Sequence, residues 1–66
     1  MSANDDAALI VQEADALVSD DPERALSIYR DAYALLIKAG GKGNLKMADN
    51  IRRDKILPLA VKVFAK

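Results

Sequence analysis

The sequence predicts an all-α fold, an antiparallel three-helix bundle with a short-looped first hairpin and a long third helix. Three observations predict it. Apolar residues recur at spacings of three and four along nearly the whole chain. Two breaks, Ser19-Asp20-Asp21-Pro22 and Gly40-Gly41, divide that pattern into three stretches. The composition is 52% apolar, much of it alanine, the best helix former, and β-branched residues never alternate with polar ones over a strand's length. The helices are expected at about 4–19, 22–39 and 44–65, forming a single domain over residues 1–66.

In the first helix, Ser2 or Asn4 is the expected N-cap, and Asp5 and Asp6 suit the positive first turn. Ala7, Ile10, Ala14, Leu17 and Val18 fall on one stripe, with Leu9 and Val11 beside it. The stripe is narrow and partly small, so a neighbour can come close.

Asp21 is placed to cap the second helix, and Pro22 suits its first position because its missing N–H would be unpaired there. A connection this short makes the first two helices antiparallel neighbours. Ala25, Leu26, Tyr29, Ala32, Tyr33, Leu36 and Ala39 line one face of the second helix, with Ile28, Leu35 and Ile37 beside it. A helix apolar over more than half its girth touches two neighbours, so this one is central. Gly40-Gly41 ends it, since glycine readily takes the left-handed cap. Gly43 and Asn44 are read as the rest of the loop, with Asn44 capping the third helix.

The third helix changes face partway. Met47, Ala48 and Ile51 form an early stripe; Ile56, Leu59, Ala60 and Val63 form a later one, rotated by more than a right angle. Pro58 sits at the change and would kink the axis by removing the bond to the Asp54 carbonyl. Two readings are open. The kink lets both stripes reach one core, or the second half is apolar on two sides, one for the core and one for a ligand or a second copy.

The chain has neither cysteine nor histidine. Disulfides, thiolate or imidazole metal sites and the usual general base are therefore out of reach. Ser19 and Ser27 have no histidine to activate them. Gly40-Gly41-Lys42-Gly43 follows a helix instead of a strand and lacks the spacing of a phosphate loop. No enzyme activity and no cofactor are expected. No apolar run reaches a membrane span, and the acidic start is unlike a secretory signal, so a cytoplasmic location is expected.

Formal net charge is zero but unevenly spread. Residues 1–23 carry acids and no base. Residues 38–66 carry Lys38, Lys42, Lys46, Arg52, Arg53, Lys55, Lys62 and Lys66 against Asp49 and Asp54. Either the first and third helices attract each other, or the basic end meets an acidic partner. Balanced charge and an apolar third helix argue against nucleic acid.

Ala25-Leu26, Tyr29 and Ala32 form the most specific local motif: two small residues seven apart with a tyrosine filling the gap between them and keeping its hydroxyl near water. Tetratricopeptide repeats and MIT (microtubule interacting and trafficking) domains both use it, so the first hairpin resembles a tetratricopeptide hairpin. A tetratricopeptide array would repeat the hairpin at about 34 residues, and no second such motif follows. With Glu13-Ala14-Asp15 in the first helix and Ile51-Arg52-Arg53 in the third, nearly the whole chain resembles an MIT domain.

That resemblance implies a non-catalytic three-helix module that captures C-terminal tails of ESCRT-III-type trafficking proteins, with recruitment to endosomal membranes. A helical tail would lie between the second and third helices, or an extended tail between the first and third. Ile51, Ile56, Leu59 and Val63 would supply apolar anchoring, and Arg52, Lys55 and Lys62 orientation. The family's Tyr-Leu-Asp-Arg-Ala-Glu stretch is here Pro58-Leu59-Ala60-Val61-Lys62-Val63, without acids. An acidic tail, or the acidic surface of microtubules, therefore suits it better than an arginine-rich helix. The alternatives are an assembly module whose third helix packs on a copy of itself or on another helical protein, and a microtubule-binding domain like those the resemblance implies for severing ATPases.

Overall fold

The structure, a computed structural model, describes residues 2–65. Its helices are α1 (Ala3–Leu17), α2 (Pro22–Ala39), α3 (Lys42–Ile51) and α4 (Leu57–Phe64), and one π-helical turn, Arg52–Ile56, joins α3 to α4. Backbone dihedrals stay helical from Ile51 through Leu57, so α3, the π turn and α4 make one continuous rod. The architecture is an all-α bundle of three rods, and no described residue is in a strand. No helix among the described residues is long and apolar enough to cross a membrane.

Local chemistry sets the rod ends. The Asp5 N–H donates to Ser2 Oγ at 3.1 Å, so Ser2, not Asn4, is the cap of α1. The Arg24 N–H donates to Asp21 Oδ1 at 3.2 Å, with Pro22 opening α2 as expected. Gly40 and Gly41 both take positive φ, +71° and +88°, and between them reverse the chain. The turn needs only these two residues, so the third rod starts at Lys42. Gly43 and Asn44 belong to α3, not to a loop. Asn44 does not cap its own helix; its Nδ2 donates to the Gly40 carbonyl at 2.8 Å.

The core is narrow and rich in alanine. Ala7, Ala14, Ala25, Ala32 and Ala48 are all fully buried, as is Leu36, with Leu26, Tyr29, Ile51, Ile56 and Leu59 around them. The alanines stand seven apart on α1 and again on α2, which lets the two backbones approach closely. α2 packs against every other rod segment and is the central helix. Its end is more open than the sequence suggests: Ala39 is exposed, because it lies beyond the last level of core residues.

The π turn resolves the change of face in the third rod. The Leu57 N–H donates to the Arg52 carbonyl, five residues back, in place of the usual four. One extra residue is thereby taken up, and the later stripe swings into line with the earlier one. Ala48, Ile51, Ile56 and Leu59 are all buried on the same core, with Val63 packed against it. Pro58 is the second residue of α4, directly after the π turn, where the hydrogen-bond ladder is already displaced by one residue. It neither ends the rod nor leaves the two stripes on separate faces.

Candidate functional site

α1 and the third rod both lean on α2 but diverge from each other. α1 approaches α3 and makes no close backbone approach to the π turn or α4. A cleft of about 330 Å³ opens where they part. α1 contributes Asp15 and Val18, α2 contributes Tyr29, and the third rod contributes Asp54, Lys55, Pro58, Leu59 and Lys62. The apolar members make the floor and the charged ones the rim.

Tyr29 fixes the floor. It is 2% exposed, and its hydroxyl donates to the Asp15 carboxylate. The hydroxyl thus meets an acid on α1, a partner that the sequence did not point to. Burial pushes the phenol well above the ordinary tyrosine range, and the hydrogen bond and charge of Asp15 push it the same way. Asp15 also accepts from Lys55 Nζ at 3.3 Å. One carboxylate thus ties α1 to both α2 and the π turn, and realises the attraction between the acidic and basic thirds of the chain. Both partners of the ion pair are substantially exposed, so its own contribution is small.

A second cleft, about 280 Å³, lies between α2 and the end of α4, lined by Glu23, Leu26, Ser27, Arg30, Val63 and Phe64. It is shallower in chemistry: Leu26 and Val63 supply apolar surface, and Arg30 and Glu23 supply charge of both signs.

The structure divides the residues singled out from the sequence. Lys55, Leu59 and Lys62 line the first cleft, and Val63 lines the second. Ile51 and Ile56 are core residues at 5% and 9% exposure and line neither. They are corrected from contact residues to packing residues: Ile51 packs on the core within α3, and the π turn brings Ile56 onto the same core. Leu59 is corrected in part. At 6% exposure it is first a core side chain, and only its edge reaches the cleft.

Arg52 is spent on its own helix. It donates to Asp49 Oδ1 at 2.9 Å, and Arg53 pairs with Asp49 Oδ2 at 3.2 Å. The Arg52 hydrogen bond, with the Arg53 and Arg52 charges, outweighs desolvation and holds the Asp49 carboxyl below the usual carboxylate range. Asp15, Val18, Tyr29, Asp54 and Pro58 are the cleft residues that sequence reasoning did not select. Tyr29 had a signal, the alanines flanking it. The pairing of Asp15 with Lys55 had only the charge asymmetry between the two ends of the chain, since the residues lie 40 positions apart.

Among the described residues, no group of histidine, cysteine or carboxylate side chains is arranged to hold a metal ion. The chain matches no protein-family model, no curated protein and no solved structure.

Proposed function

We propose that this chain is a protein-interaction module of the MIT type, which captures a short, extended tail of an ESCRT-III-type partner in the cleft between α1 and α4. The observation that carries the reading is the divergence of α1 from α4 above a common α2. It leaves an apolar floor of Val18, Tyr29, Pro58 and Leu59 within one open groove. A groove between two helices with a dry floor and a charged rim suits a segment with one or two apolar anchors. Lys62 makes no ion pair with any described residue and gives an acidic side chain of the tail a partner. Endosomal recruitment would follow from the partner and not from this chain.

The test is an amide NMR titration of the labelled chain with a panel of ESCRT-III-type C-terminal tail peptides. Shifts centred on Asp15, Val18, Tyr29, Lys55 and Lys62 are expected, with Lys62→Glu weakening an acidic peptide by roughly tenfold, the scale of one well-placed charge contact. Shifts centred on Leu26, Ser27, Arg30, Val63 and Phe64 would move the site to the second cleft. A well-dispersed spectrum that no peptide perturbs would overturn the reading.

A further inference from the structure

We infer, resting on the cleft as a tail site, that the captured segment carries one base and one acid four residues apart, with an apolar side chain midway between them.

Charge on the rim of the cleft falls into two ends. Asp15, Asp54, Lys55 and Lys62 are its charged members. Asp15 and Lys55 neutralise each other at 3.3 Å. Asp54 and Lys62 are exposed and make no ion pair with any described residue. Asp54, Pro58 and Lys62 recur every four residues, so they line the cleft in that order along the third rod. The apolar surface of Pro58 and the edge of Leu59 therefore lies between a free acid at one end and a free base at the other.

Both signs of charge are thus offered to one ligand, and distance sets how they are matched. The rod rises about 12 Å from Asp54 to Lys62. An extended chain covers about 13 Å in four residues. Its alternate side chains face the same way. A base at one position then meets Asp54, the side chain two residues on settles on the floor, and an acid two further on meets Lys62. Whether base or acid comes first sets which way the backbone runs and leaves the match intact. A helical segment covers only about 6 Å in four residues and would bring one of the two charges to its partner. A uniformly acidic segment would set like charge against Asp54, and a uniformly basic one against Lys62.

Amide NMR titrations of the labelled chain with three capped peptides test this. Each peptide has leucine at its centre, serine spacers and a charged residue two positions to either side. One carries lysine and glutamate, one carries two glutamates and one carries two lysines. Shifts at Val18, Tyr29 and Lys62 are expected with all three. The mixed peptide should bind several-fold more tightly than either of the others, the scale of exposed charge pairs. Asp54→Lys should move the preference to the two-glutamate peptide, and Lys62→Glu should move it to the two-lysine peptide. Both side chains are exposed, so helical circular dichroism should not change. Placing the lysine and glutamate directly beside the leucine should remove the advantage of the mixed peptide. Equal binding of the three peptides in the cleft, or a preference that neither variant moves, would overturn the charge pattern and leave the tail site standing. Peptides that leave Val18, Tyr29 and Lys62 unperturbed would overturn both.

Discussion

Ile51 and Ile56 point into the same core although five positions separate them, one more than an α-helical turn supplies. The π turn between them exists because both side chains have to be buried in a chain with few large apolar residues to spare. A regular α-helix would carry Ile56, Leu59 and Val63 about 100° away from Ile51, toward solvent.

If the core sets that register, the proline is a tolerated passenger. Pro58→Ala should change stability by less than ~1 kcal/mol and leave the chain fully helical. Urea denaturation followed by circular dichroism measures it. A loss of several kcal/mol would mean that the ring itself holds the π turn in place.

Leu59 shapes the cleft from inside the core. Leu59→Ala should cost about 2–3 kcal/mol through lost burial and a residual cavity. Leu59→Asp should unfold the chain outright, because a carboxylate there has no partner. In a domain of this size, with only a few kcal/mol in hand, the loss of helical signal at neutral pH decides the point.

Tyr29 links stability to alkaline pH. Its raised phenol pKa means that the neutral form is favoured in the folded state. The stabilisation is therefore complete below the ordinary tyrosine value of about 10 and is lost as pH rises beyond it. Tyr29→Phe should cost roughly 1–2 kcal/mol at neutral pH, since Asp15 loses one of its two donors. It should also flatten the fall in stability above pH ~10. Denaturation midpoints measured from neutral pH to pH ~11 test both parts.

Two glycines separated by one residue should respond in opposite directions. Gly41 holds φ +88°, so Gly41→Ala should cost about 1–2 kcal/mol by strain alone. Gly43 lies inside α3 with open space where a Cβ would stand. Gly43→Ala should therefore stabilise by about 0.5–1 kcal/mol. Thermal melts of the two variants side by side would show it. Equal destabilisation would return Gly43 to the loop.

Much of the fold was legible because it is written in short-range chemistry. Ser2 and Asp21 act within one turn of their own helices, Pro22 opens α2, and Gly40-Gly41 closes it. The small residues at 7, 14, 25 and 32 are all buried. Reading failed where one local signal served another end. Asn44 looked like a cap and instead reaches back across the turn to Gly40. Pro58 looked like the cause of a kink, but nothing at the level of sequence marks a π turn, because the extra residue is demanded by burial on α2.

The sequence by itself determined that this chain is three amphipathic rods with α2 in the centre, since periodicity and capping depend on residues within a turn or two of one another. Only the tertiary structure decided where the cleft opens and which side chains line it. The contacts that fix it, Asp15 with Tyr29 and with Lys55, join residues 14 and 40 positions apart. Leu59 and Val61 are neighbours of the same apolar kind in sequence, yet one is core and the other bare, because the π turn sets how α4 is rotated against α2.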